Sequence, residues 1–159
     1  MKTAIVYESK HHENTLKLVK AIAEKYDVDL INVAENKSAN LSGYELVGFA
    51  SGIEFGTFYR NIASFAANWM PRECKVFLLY TCGKDNPEYT EELERTAHAK
   101  NCKMVGKYGC LGFDTFGPFK IFGGKNKNHP TEEEISGAVK FFGEISGNLP
   151  ESDKKEDKK

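Results

Sequence analysis

The sequence predicts an α/β domain built on a doubly wound parallel sheet, with right-handed crossovers and helices on both faces. Three observations carry that expectation. Ala4-Ile5-Val6-Tyr7 and Val76-Phe77-Leu78-Leu79-Tyr80 are continuous apolar runs, as parallel strands covered on both faces are. Helical patterns alternate with such runs along the chain. The first strand also opens through Ser9-Lys10-His11-His12-Glu13-Asn14-Thr15 directly onto a helix, the local layout of a phosphate-binding turn.

The elements follow in order. Thr3 to Tyr7 is a central strand, and Leu18, Val19, Ile22 and Tyr26 then recur at helical spacing, with Lys17, Lys20, Glu24 and Lys25 on other faces. Val28 to Val33 alternates apolar and polar residues, which predicts a half-exposed edge strand. Residues 34 to 44 read as a loop with Asn36, Ser38, Asn40, Ser42 and Gly43 as breakers. Glu45 to Ala50 is the third strand and Ser51 to Phe58 a loop. A helix from Phe58 to Trp69 ends before Pro71. Lys75 to Thr81 is the most apolar strand, followed by the turn Cys82 to Pro87, a helix over Tyr89 to Lys100 and a last strand over Lys103 to Leu111. A segment rich in Gly and Phe, Gly112 to His129, precedes a helix from Thr131 to Ile145, whose Thr131-Glu132-Glu133-Glu134 box after Pro130 marks its start. One domain is expected over residues 1–149, with a charged, disordered tail over 150–159.

Charged residues make up 28% of the chain and the formal net charge is -1, so no electrostatic reason favours nucleic acid or a membrane surface as partner. The longest apolar runs fall well short of a membrane span, and Met1-Lys2 leads straight into a strand, so a cytoplasmic chain is expected. Cys74, Cys82, Cys102 and Cys110 lack CxxC spacing and read as reduced thiols without a metal.

In a doubly wound sheet ligands sit at the carboxyl ends of the strands, where the winding reverses. The loops to read are therefore Glu8 to Asn14, Ser51 to Phe58 and Thr81 to Pro87. The first offers helix N–H groups, the positive end of a helix dipole, and the polar side chains of Ser9, Asn14 and Thr15 for a phosphate. The same residues would also suit a plain helix cap. The second loop pairs Gly52 and Gly56 with Phe55, Phe58 and Tyr59, a combination that lets backbone and rings approach a flat ligand. The third is small and polar, able to read the edge of a heterocycle. Phosphate at one end and a planar ring at the other describe a mononucleotide.

On these residues the chain resembles the flavodoxins, small FMN-binding electron carriers. The likeness is carried by Thr3 to Tyr7 leading into Ser9 and Asn14-Thr15, by Val47 to Ala50 leading into Ser51-Gly52, by Thr81-Cys82-Gly83, and by Gly112 to Pro118 with Gly123-Gly124. It implies a three-layer sandwich on a five-stranded sheet of order 2-1-3-4-5, a topology for which flavodoxin is itself the standard example. It assigns Ser9, His11, Asn14 and Thr15 to the FMN phosphate, Ser51, Gly52, Ile53, Phe55, Gly56 and Tyr59 to one side of the isoalloxazine, and Thr81, Cys82, Gly83 and Asn86 to its other edge. The turn departs from the common flavodoxin pattern, with His11-His12-Glu13 in place of a Thr-Gly pair; Glu13 would repel a phosphate unless it points to solvent.

The likeness implies low-potential electron transfer, the flavin cycling through quinone, semiquinone and hydroquinone while a monomeric protein docks transiently on redox partner proteins. Glu54 or Asp85, if within about 7 Å of the flavin at an effective dielectric near 20, would oppose its reduction by roughly 2.4 kcal/mol, on the order of 100 mV. An NAD(P)H-dependent flavin or quinone reductase on the same fold is the alternative, and a binding or maturation module a third. One of His11 and His12 suits phosphate donation better than the pair suits a metal, and Cys82 reads as a small buried thiol. Phe113, Phe116, Phe119 and Phe122 either fold the long loop onto the sheet edge or form a partner surface.

Overall fold

The computed structural model describes residues 1–113, 124 and 126–147. Five parallel strands, β1 (Thr3–Glu8), β2 (Asp29–Asn32), β3 (Leu46–Glu54), β5 (Lys75–Cys82) and β6 (Lys103–Leu111), lie in the order β2-β1-β3-β5-β6. This is the expected 2-1-3-4-5 winding, with a two-residue strand β4 (Thr57–Phe58) added antiparallel to β3. After β2 the chain returns across β1 to lay down β3 on its other side, so the carboxyl ends of β1 and β3 flank the point of reversal.

Side chains of a strand alternate between faces, and the apolar runs therefore supply two cores at once. Ala4, Val6, Val47, Phe49, Val76 and Leu78 face α2 (Arg60–Trp69) and α3 (Glu91–Ala99), where they pack with Ile62, Phe65, Leu93 and Ala97. Ile5, Leu46, Phe77 and Leu79 face α1 (Asn14–Lys25) and α4 (Glu132–Ser146), among Leu18, Val19, Ile22, Ala138 and Phe142. The strand β2 is partly exposed, as its alternation predicts.

Three local differences from the sequence reading bear on function. β3 runs on to Glu54 and turns back through Phe55 (φ +53°) and Gly56 (φ +77°) into β4, so residues 51–58 form a hairpin and not a loop. Two positive φ values in succession match the turn whose twist suits a two-residue hairpin, yet Phe-Gly lacks the usual Asn-Gly signature. The second difference lies before α3. Asn86 accepts from the Glu88 N–H at 3.0 Å and Pro87 opens a 3₁₀ turn (Pro87–Thr90), which delays the helix to Glu91. The third is α2, which begins at Arg60. The capping box at α4 is present: Glu134 N–H donates to Thr131 Oγ1 at 3.1 Å and Thr131 N–H to Glu134 Oε1 at 2.9 Å. Phe116, Phe119, Phe122 and the charged tail lie outside the described residues.

Candidate functional site

Glu8 ends β1 and the chain turns tightly into α1. His12 (φ +53°) and Glu13 (φ +56°) both sit in the left-handed region, which costs a side-chain-bearing residue about 1 kcal/mol. Glu13 occupies the N-cap but makes no side-chain cap bond, and it is exposed. Ser9 substitutes: its Oγ accepts from the Leu16 N–H at 3.2 Å. A hydroxyl that accepts there keeps its own hydrogen to donate elsewhere.

Two further bonds tie this turn to the neighbouring loops. Thr15 Oγ1 lies 3.0 Å from Thr81 Oγ1, both groups buried. One hydroxyl donates to the other, which leaves one hydrogen of the pair to give away. Asn14 Nδ2 donates to Phe113 O at 2.9 Å, while Asn14 Oδ1 is buried with no hydrogen-bond partner among the described residues. The turn is thus locked to β5 and to the loop after β6.

Between these loops lies an open cleft of about 660 Å³, counted with the solvent in its mouth. Ser9, His11, Asn14 and Thr15 line one end; Gly52, Ile53, Phe55 and Tyr59 come from the hairpin; Thr81, Cys82 and Gly83 close the other edge. Glycine is required at Gly52, where a Cβ would collide with the Tyr59 hydroxyl, and at Gly112, where it would lie 2.6 Å from Asn14 Nδ2. Phe55 stands at the rim with 88% of its surface exposed, whereas Tyr59 is buried in the wall.

Charge gathers on one side of the cleft. Glu8 is only 4% exposed; its Oε1 accepts from Asn61 Nδ2 at 3.3 Å and lies 3.5 Å from Lys10 Nζ. Lys10 Nζ also lies 3.8 Å from Glu54 Oε2 and 4.6 Å above the centre of the Tyr59 ring. One lysine therefore serves two carboxylates, and the cation rests on an aromatic face. Asp85, the other carboxylate singled out, accepts from the Tyr80 hydroxyl at 2.8 Å, and burial followed by that bond raises the Tyr80 pKa.

Three of the residues singled out from the sequence do not line the cleft. Ser51 is buried behind it, accepting from the Tyr59 N–H at 3.1 Å and donating to Gly52 O; Gly56 is in the hairpin turn; Asn86 caps the 3₁₀ turn. Glu54, Gly112 and Phe113 line it as well. Gly112 and Phe113 follow β6, so the rule that reads loops at the carboxyl ends of strands reaches them once the fifth such loop is included. Their placement rests on long-range bonds: Gly112 N–H to Cys82 O at 2.9 Å and Phe113 N–H to His129 O at 3.0 Å. No helix among the described residues is long and apolar enough to cross a membrane.

No protein-family model matches the chain. It is 36% identical over 150 residues to an uncharacterized protein of Methanocaldococcus jannaschii, covering 93% of this chain and all of that one. Among solved structures, a WrbA-like flavodoxin of Agrobacterium tumefaciens superimposes with a TM-score of 0.68 at 11% identity, over 92% of this chain and 96% of the other. The Fusobacterium nucleatum flavodoxin bound to flavin mononucleotide gives 0.63 at 13% identity, over 94% and 100%. At such identities the likeness speaks for the fold alone.

Proposed function

The chain belongs to the same family as the Methanocaldococcus jannaschii protein and has the flavodoxin-like fold, and from that premise we propose that it binds FMN and works as a low-potential electron carrier. The observation that carries the reading is the union, in one cleft at the reversal of the winding, of a donor-rich turn and glycine-walled loops. The residues fit the group. Ser9 and the Thr15–Thr81 pair each have a hydroxyl hydrogen to offer a phosphate at the N-terminus of α1, where the Glu13 side chain makes no cap bond. Asn14 Oδ1 would accept from a ligand hydroxyl. Gly52 and Gly112 let the Tyr59 ring and the Asn14 side chain pack directly against the backbone of the cleft walls.

When bound, FMN would supply one-electron and two-electron redox chemistry. The protein's part is electrostatic. Glu54 on the cleft wall disfavours added negative charge, and Lys10 beside it offsets that effect. His11 at the phosphate end and Phe55 at the exposed rim complete the enclosure. The exposed rim would meet redox partner proteins transiently, with the chain acting as a monomer in the cytoplasm.

The competing reading on the same fold is an NAD(P)H-dependent flavin or quinone reductase. Loading the full chain with FMN and mixing it with NADPH in a stopped-flow spectrometer separates the two. A carrier keeps its visible flavin band for minutes until a reductase is added; bleaching within a second of mixing with NADPH alone contradicts the carrier reading.

A further inference from the structure

At the opposite end of the sheet from the cleft, the structure brings together two thiols that lie 28 positions apart. Cys74 Sγ and Cys102 Sγ are 3.6 Å from each other, both partly exposed and both free. Each immediately precedes a strand. Lys75 and Lys103 are Cα partners at the start of β5 and β6, and the Lys103 N–H donates to Cys74 O at 2.9 Å. Neighbouring strands lie about 4.7–4.9 Å apart. Cys74 and Cys102, one residue back on each strand, therefore fall within the roughly 4.4–6.8 Å Cα separation that a disulfide tolerates. Both pack against the same core face, so the two Cβ atoms point to one side of the sheet.

The second cysteine pair on these strands provides a contrast. Cys110 is the Cα partner of Thr81, one residue from Cys82, because the register slips between Val76 and Phe77. Cys82 belongs to the core on the α2 and α3 face and Cys110 to the core on the α1 and α4 face. These two thiols point to opposite sides and cannot bridge.

We propose that Cys74 and Cys102 form an oxidative modification site, closing to an intramolecular disulfide by exchange with a small-molecule disulfide. The thiolate of either cysteine attacks one sulfur of the small disulfide, forming a mixed disulfide and expelling the first small thiol. The other cysteine then attacks the protein sulfur of that mixed disulfide, forming the Cys74–Cys102 bond and expelling the second. The two protein thiols are oxidised by two electrons, the small disulfide is reduced to two thiols, and the two protein protons leave with them. Burial, then its hydrogen bond with Cys102, push the Cys74 thiol up to about 12. Lys100 beside the pair, its Nζ donating to Met70 O at 3.0 Å, offsets part of this effect on Cys74. Attack by Cys74 is accordingly slow at neutral pH and quickens as pH rises. The bridge would clasp the turn between α2 and β5 to the turn between α3 and β6, independently of any ligand in the cleft.

The test uses the full native chain incubated with oxidised glutathione under non-denaturing conditions, followed by intact mass and peptide mapping. The expected product has lost two hydrogen masses, carries a Cys74–Cys102 linked peptide, keeps Cys82 and Cys110 as thiols, and melts a few degrees higher than the reduced form, since closing the loop restricts the unfolded chain. Cys74→Ser should stop at one glutathione adduct on Cys102. Phenylarsine oxide, which needs two adjacent thiols, should be captured by the native chain at one equivalent and lost in that variant. A wild-type chain that remains fully reduced, or that ends as a stable mixed disulfide without the linked peptide, overturns the proposal.

Discussion

Thr15 Oγ1 and Thr81 Oγ1, 66 residues apart in the chain, share a 3.0 Å hydrogen bond in the floor of the cleft. The first residue is in the opening turn of α1 and the second near the end of β5. One bond thus fixes the donor-rich turn against the wall facing it. Thr81→Val strands the Thr15 hydroxyl, which is 1% exposed, and should destabilise the chain by about 1–2 kcal/mol in urea unfolding. Thr15→Val should cost a similar amount, and the double variant less than the sum, because the second change no longer leaves a polar group unpaired.

Glu13 sits at φ +56° with its side chain exposed and no cap bond to show for the strain. Glu13→Gly relieves the left-handed conformation at the expense of a more flexible unfolded chain, so a net gain of about 0.5–1 kcal/mol is expected by thermal or urea unfolding. It also removes a negative charge beside the proposed phosphate position. FMN affinity should rise; an unchanged or weaker affinity would separate Glu13 from that position.

Much of this architecture was legible in the sequence, and the exceptions have physical causes. The apolar runs of β1, β3 and β5 announce a sheet buried on both faces, and Thr131 to Glu134 announces α4 with its cap. The turn and two loops that form most of the cleft could be read because ligand sites in such sheets follow from winding alone. The hairpin at Phe55-Gly56 was not legible, since a phenylalanine at positive φ runs against local preference and is imposed by the pairing of Glu54 with Thr57. Gly112 and Phe113 were within reach of the same loop rule but were not read as cleft residues, and what holds them there is bonds to Cys82, Asn14 and His129 across long stretches of chain. Lys10 escaped notice for a related reason: its two carboxylates come from β1 and from the far end of β3.

Lys10→Met keeps the aliphatic stem but removes the cation between Glu8 and Glu54. With Lys10 about two-fifths exposed, the interaction is solvent-screened and worth on the order of 1 kcal/mol. In the FMN-loaded protein, removal of the cation should lower the one-electron potential, by about 40 mV for each kcal/mol of stabilisation that the reduced flavin loses, measurable by dye-equilibrated titration. Glu54→Gln should move it in the opposite direction. The same sign in both variants would rule out the charge argument.

Glu134, which accepts from the Leu111 N–H at 3.1 Å, is expected to contribute to stability in acid beside Gly112 and Phe113. Burial pushes its pKa up, but hydrogen bonds from Thr131, His129 and the Leu111 N–H outweigh this and leave it lowered. A carboxylate whose folded pKa lies below its unfolded value stabilises the fold above the unfolded value, near 4.5, and that contribution is lost as pH falls through the lower folded value. Glu134→Gln should therefore lower Tm at pH 7, with the gap from wild type narrowing as the pH drops below about 4.5. A gap that stays constant from pH 7 to pH 3 would show that charge on Glu134 is not the cause.

The central claim is that the Ser9 to Thr15 turn grips a phosphate while the remaining loops enclose a flavin ring. Fluorescence titration of the flavin-free chain with FMN and, in parallel, with riboflavin tests it most directly. The account predicts quenching that saturates at one FMN per chain, with riboflavin, which lacks the phosphate, bound at least about tenfold more weakly, a loss of about 1.4 kcal/mol or more. Equal affinity for the two flavins, or no quenching by either, would contradict it.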